Sequence, residues 1–381
     1  MAPKSAFLLV FSVIFLVALG MVMLLSTSAF SVDHAGDVYY DVKRQAAWLV
    51  VAVLACATIA ALDYHWLAKG AKVWYVLAVL ILVACFIPGI GREVNGASRW
   101  IGFGAFRFQP SELAKLAGVV CLAAWYARYA DESRHLVRGF VIPLALAGLL
   151  VLLIGLEVDL GTAALLGAVS LGIMYVAGAH GGAMLAAVAG GAAALGAVIF
   201  LIPNRLGRLL AFLDLEAHQG GFGYQQWHGL LAFGTGGIGG LGLGSGRQKM
   251  LYLPFAHTDF IFPMVGEELG LPFTLLVVFF FVVLLVAGCV IALHAPDRFG
   301  KLLAAGIVLM ITLQAVLNIG VTTAVLPNKG LPLPFVSYGG SNLLCCFLGV
   351  GILLNIYRQG IYLKDDHRHP KILRSKLTPR L

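Results

Sequence analysis

Charge is scarce in this chain. Asp, Glu, Lys and Arg make up 12% of its 381 residues, about half the share found in an ordinary soluble domain. Hydrophobic residues make up 60%, and the mean hydropathy is +0.93. Such a ratio excludes a water-soluble globule. Cysteine is missing from the polar stretches: Cys56, Cys85, Cys121, Cys289, Cys345 and Cys346 all fall inside apolar runs. That excludes a disulfide framework and a thiol zinc site, and leaves packing as their role. There is no G-x-S-x-G, no H-E-x-x-H and no P-loop, so no familiar nucleophile, zinc-protease or nucleotide motif is present. Outside the apolar runs no basic patch is interleaved with stacking aromatics, which argues against nucleic-acid binding despite a net charge of +8.

What is present is a series of apolar runs of about 20 residues, each long enough to span a bilayer as a helix. They lie near 6–28, 46–62, 73–88, 110–127, 139–156, 161–177, 183–202, 270–293, 302–325 and 341–358. An open sheet cannot satisfy its backbone in lipid, so the spacing predicts an all-α polytopic membrane protein with about ten transmembrane helices in one bundle. The bundle covers 1–358, with a long extracytoplasmic loop at 203–257 between spans 7 and 8. A last extracytoplasmic loop lies at 326–340 and a basic tail at 359–381. The first run is longer than a signal-peptide core and reads as a retained helix. More than half of the 26 Lys and Arg fall on the side that would hold both termini, which marks that side as cytoplasmic. The outward cations, among them Arg99, Arg107, Arg205, Arg208, Lys249 and Lys329, run against that bias and point either to an anionic ligand or to pairing with nearby acids.

Polar residues inside the runs are few. Glu112 and Lys115 share a helical face, as a structural ion pair or as the lining of a cavity. Gln314, Asn318 and Thr322 draw a polar stripe on the ninth span, consistent with interhelical hydrogen bonds or with a cavity. Asp159 is placed to cap the helix that starts at Leu160. The glycine-rich Gly234–Gly239 stretch matches G-x-G-x-x-G without a βαβ context, so close packing is its better reading. "HTDFIF" puts His257 and Asp259 at the edge of a span. From spacing alone Asp259 is either a general base or a helix cap.

Four segments together, "GASRWIGFGAFRFQPSELAKL", "VDLGTA", "HTDFIFPMVGEELG" and "NKGLPLPFVSYGGSN", resemble the SEDS family, which contains the FtsW and RodA peptidoglycan glycosyltransferases. The Lys329–Gly330 form is most similar to the FtsW branch. The resemblance implies an inverting polymerase of lipid II at the outer face of the bacterial cytoplasmic (inner) membrane, serving cell division. It implies Asp259 as the base for the acceptor hydroxyl. Arg99, Trp100, Glu112, Lys115, His257, Lys329, Ser337, Tyr338 and Ser341 map onto the family's motifs as substrate-binding positions. Arg205, Arg208 and Lys249 are candidate phosphate contacts. Implied partners are lipid II itself, a class B penicillin-binding protein transpeptidase and other divisome proteins. No residue set marks a metal; a divalent cation (Mg or Mn) would suit a pyrophosphate leaving group. The sequence departs from the family at Phe255, where an acid is common, at Val158, where a proline is usual, at Asn342 and at Trp227-His228. Two other functions fit the same composition: a lipid II flippase, with polar groups spread along a path through the bundle, and a catalytically idle division scaffold.

Overall fold

The structure, a computed structural model, describes residues 2–28, 37–94, 97–103, 106–250 and 253–368. α1 (Ala2–Ser28) and α2 (Tyr40–Ala61) lead through a short helix, α3 (His65–Lys69), to α4 (Ala71–Ala84). α5 (Pro110–Arg128), α6 (Ile142–Leu156), α7 (Leu160–Ala177) and α8 (Gly181–Leu201) follow. Two further helices, α9 (Pro203–Leu213) and α10 (Tyr224–Gly236), precede α11 (Ile261–Leu293), α12 (Arg298–Thr322) and α13 (Gly340–Arg368). Among the described residues, eight helical segments are long and apolar enough to cross a membrane. Of the two remaining expected spans, α4 is apolar but only 14 residues long, and α5 carries Glu112, Lys115 and Arg128. The chain is an all-α polytopic membrane protein with one small addition. Three antiparallel strands, β1 (Gly91–Val94), β2 (Ala97–Phe103) and β3 (Phe106–Phe108), form a sheet in that order, with Arg92 opposite Trp100 and Gly102 opposite Arg107. The sequence reading of a purely helical chain missed this sheet.

α12 and α13 form the centre, with Leu303, Ile307, Leu353 and Ile356 fully buried. α1 belongs to the bundle: Phe15 stacks on Phe280 of α11 at 4.2 Å, and Leu16 and Met23 are fully buried. Helices in lipid associate through close packing, which small residues permit. A Cβ on Gly20 would lie 2.6 Å from the Val336 carbonyl, and one on Gly351 would lie 2.7 Å from that of Cys56. α8 is the exception, with no buried residue along its length.

One end of the bundle carries the sheet, the α6–α7 turn, the segment before α11 and the α12–α13 loop. At the other end, Tyr64 donates to Asp297 and Arg358 donates to the carbonyl of Ala61 at 2.8 Å. There α13 continues through Arg368, into the stretch read from sequence as a tail; residues 369–381 of that tail lie outside the described residues. α11 is two helical pieces joined at Gly270, whose φ of 77° breaks the helix just before Pro272.

Helices close on left-handed residues at both ends of the bundle. α7 closes on Gly178 at φ 86°, with Ala179 N bonding Met174 O and Gly178 N bonding Tyr175 O, the paired bonds of a Schellman motif. α6 ends the same way: Asp159 N bonds Ile154 O and Val158 N bonds Gly155 O. Here the left-handed residue is Val158, at φ 68°. A β-branched side chain is disfavoured there, and a proline, locked near −65°, could not take it. Val158 is half exposed at 53%, so little packing is lost by removing its side chain. Val158→Gly is expected to stabilise the protein by about 1 kcal/mol, read as a raised thermal unfolding midpoint in detergent.

Candidate active site

The segment His257–Asp259 is strapped down through its backbone. The His257 carbonyl accepts from Tyr338 N at 3.0 Å, and the Thr258 carbonyl accepts from Ser337 Oγ at 2.6 Å. The Asp259 carbonyl accepts from Asn318 Nδ2 at 2.8 Å. Asn318 Nδ2 also donates to the Leu331 carbonyl at 2.6 Å, and Gln314 Nε2 donates to that of Pro332 at 2.9 Å. The polar stripe of α12 thus holds two loops, the one before α11 and the one before α13. Gln45 of α2 secures the second loop, bonding the Ser337 carbonyl and the Gly339 amide.

Strapping the backbone leaves the Asp259 side chain available. The N-cap of α11 is Phe260 and no side chain caps that end, so Asp259 is not a helix cap. Among the described residues no hydrogen bond or ion pair engages its carboxylate. The contrast is Asp159, the N-cap of α7, which accepts from Thr162 N at 3.1 Å, Thr162 Oγ1 at 2.9 Å and Gln109 Nε2 at 3.1 Å. Burial pushes the Asp259 carboxyl up to about 6; Arg99 opposes this and Asp159 adds to it. Gly330 makes room for the group, since a Cβ there would sit 2.6 Å from Asp259 Oδ2.

Cations crowd the same end. Arg99 lies on β2, Arg205 and Arg208 on α9, and Lys329 in the loop before α13. Burial lowers the Lys329 ammonium, with Arg208 and Arg205 adding to the effect and Asp159 resisting it. Burial also lowers Arg208, with Arg205 and Arg99 contributing. Mutual repulsion of this kind is relieved by an anion. The chain contributes Asp159 and Asp259 nearby, but Asp159 is already engaged by its helix.

The other expected site residues divide into three groups. His257, Ser337, Tyr338 and Ser341 belong to the strapping: the rings of His257 and Tyr338 are 5.8 Å apart, and Ser341 Oγ accepts from Gln109 N at 3.0 Å. Trp100 stands on β2 opposite Arg92. Glu112 and Lys115 lie in the bundle core, both 2% exposed. Lys115 Nζ donates to Glu112 at 3.0 Å and to Gln314 Oε1 at 2.7 Å, while Asn342 Nδ2 donates to the other Glu112 oxygen at 2.8 Å. This network supports Gln314 and hence the last loop. Lys249 stands apart from the cation crowd: its ammonium bonds Glu268 at 2.5 Å and Ser26 at 2.7 Å, buried. A desolvated ammonium with those partners is a strut, which corrects its reading as a phosphate contact. The neighbouring glycine-rich segment is held similarly. Glu267 accepts from the Arg247 and Gln248 amides and Glu268 from the Gly244 amide.

Among the described residues no three His, Cys, Asp or Glu side chains converge to hold a metal ion. Sequence reasoning passed over Gln109 and Gln45 as site-forming residues, and met Asn318 only as part of a polar stripe. Their signal was there as polar side chains inside or beside apolar runs, which lipid tolerates only when they are bonded.

An unengaged carboxylate and a cluster of cations at one end of a helical bundle define a polytopic membrane protein with a candidate site for accepting a proton and binding an anion. The chain belongs to the FtsW, RodA and SpoVE family, described as "Cell cycle protein", which matches residues 6–361. It is 39% identical over 345 residues to "Probable peptidoglycan glycosyltransferase FtsW" of Geobacter metallireducens, covering 90% of this chain and 91% of that one. It is 37% identical over 356 residues to "Stage V sporulation protein E" of Bacillus subtilis, covering 93% and 97%. Among solved structures it resembles a chain from "Structural coordination of polymerization and crosslinking by a peptidoglycan synthase complex", with TM-score 0.76 and 29% identity over 92% of this chain and 97% of that one. It also resembles the rod shape determining protein RodA of Thermus thermophilus, with TM-score 0.68 and 28% identity over 92% and 96%.

The buried network makes a stability prediction. Lys115→Met strands the Glu112 carboxylate and is expected to cost about 3 kcal/mol, the scale for breaking a buried pair. Adding Glu112→Gln should recover part of that loss. Chemical unfolding of the single and double variants in detergent measures both; additive losses would show that the pair is not coupled.

Proposed function

We propose that this protein is a peptidoglycan glycosyltransferase that polymerises lipid II into β-1,4 glycan strands, in cell division. One observation carries the reading: the Asp259 carboxylate, without a hydrogen bond among the described residues, stands at the same end of the bundle as Arg99, Arg205, Arg208 and Lys329. The names of the relatives support it. In the reaction, Asp259 takes the proton of the acceptor 4-hydroxyl as that oxygen attacks C1 of the donor sugar. The bond from C1 to the undecaprenyl pyrophosphate breaks, and C1 inverts. Negative charge grows on the departing pyrophosphate, where the cations stabilise it more strongly than they do the ground state. An arginine fork suits that group better than a lysine does. No step is routed through a metal.

The site end faces outward in this reading, at the outer surface of the bacterial cytoplasmic membrane, with both termini in the cytoplasm as the positive-inside bias indicates. The partner would be a class B penicillin-binding protein transpeptidase that crosslinks the new strands, together with other divisome proteins.

Lipid II polymerisation by the purified protein with its transpeptidase partner tests this. Wild type is expected to give glycan ladders, with a rate that rises with pH through about 6, because only the ionised Asp259 accepts a proton. A folded Asp259→Asn variant should lose at least about 100-fold, the lower scale of general-base catalysis. Ladders of normal intensity from the variant would remove Asp259 from the chemistry. Gly330→Ala leaves the carboxylate in place but crowds it, and should lower the rate about tenfold, in line with the cost of a small misplacement at a reacting group. An unchanged rate would show that the gap beside Asp259 is not needed.

A further inference from the structure

Glu157 is a carboxyl group that this mechanism does not use. It is the C-cap of α6 and 1% exposed. Both of its side-chain oxygens are buried with nothing to meet them but the Cys85 thiol, and Nε of Arg99 is buried without a hydrogen-bond partner. Three ionisable groups face it: the Cys85 thiol beyond the end of α4, Asp159 at the start of α7, and Arg99 on β2. Asp159 is fixed by Thr162 and Gln109 and offers Glu157 only repulsion. The Schellman turn fixes the backbone on either side.

A charged carboxylate buried with no partner but a thiol is costly. Such a group has two ways out: it stays protonated, or it takes the nearest cation. We propose that Glu157 is a positioning residue that works by staying protonated, so that Arg99 remains free for the phosphate of the donor; when Glu157 ionises, it claims Arg99 for itself. The proposal rests on the pyrophosphate site described above. Burial pushes the Glu157 carboxyl up to about 8; Asp159 raises it further, and Cys85 and Arg99 pull it back. At neutral pH the group is therefore mainly uncharged, and it neither repels an incoming anion nor competes for the guanidinium.

The probe is a short-chain prenyl pyrophosphate sugar diester, whose phosphate charge is constant across this pH range. Its binding to the full-length protein in detergent is measured by calorimetry from pH 7 to 9, for wild type and for the isosteric Glu157→Gln. For a group titrating near 8 that must be protonated, wild-type affinity should fall about tenfold over that interval. The variant, which cannot ionise, should fall by less than about twofold. Binding at pH 8.5 should also draw a proton into wild type, seen by repeating the titration in buffers of different ionisation enthalpy, and not into the variant. Parallel pH profiles in the two proteins would overturn the role of Glu157 while leaving the phosphate site standing. Failure of wild type to bind at any pH would overturn both. Should the variant not fold, proton uptake by wild type alone decides, and its absence overturns the proposal.

Discussion

One side-chain amide carries an unusual share of this structure. Asn318, deep on α12, donates to the carbonyls of Asp259 and Leu331, two residues in different loops. Lipid offers no hydrogen bonds, so loops that close the end of a membrane bundle must be tied by side chains reaching up from the helices. Asn318, Gln314 and Gln45 do this in turn. Behind Gln314 stands Lys115, and behind Lys115 stand Glu112 and Asn342. An ion pair in the bundle core is thereby part of the mechanical support of a surface loop.

That support explains how two aspartates at the same end come to differ. Asp159 spends its oxygens on the start of α7 and on Gln109, and so it is a structural anion. Among the described residues Asp259 is held only through its main chain, and its carboxylate is left unengaged. Nearby repulsion among cations adds a second tension, one that a doubly charged ligand would relax. The end of the bundle thus carries one unengaged carboxylate and one unsatisfied field of cations.

The membrane spans were legible because an apolar run of that length has few alternatives. The site motifs were legible as a resemblance, and Asp159 as a cap from its place before Leu160. The sheet was not, since strands of 4, 7 and 3 residues give almost no periodicity, although Asn95-Gly96 is a strong hairpin signal. Lys249 was misread because its sequence neighbours are polar and loop-like, while its partners, Ser26 and Glu268, are distant in sequence and brought close only by packing. Glu112 and Lys115 were readable as a pair, but not as supports, for the same reason. Val158 gave no warning of a left-handed backbone, because its residue type argues against one; the shared turn between α6 and α7 imposes it.

The glycine-rich stretch before α11 has a further consequence. Its amides converge on the carboxylates of Glu267 and Glu268, in the manner of loops that cradle phosphate. Here the guest is tethered to the host, at an effective concentration that a free anion in solution cannot match. The anion cradle formed by the Gly244, Arg247 and Gln248 amides is in this protein already self-occupied. The glycines of this stretch serve the inward fit of the chain to itself.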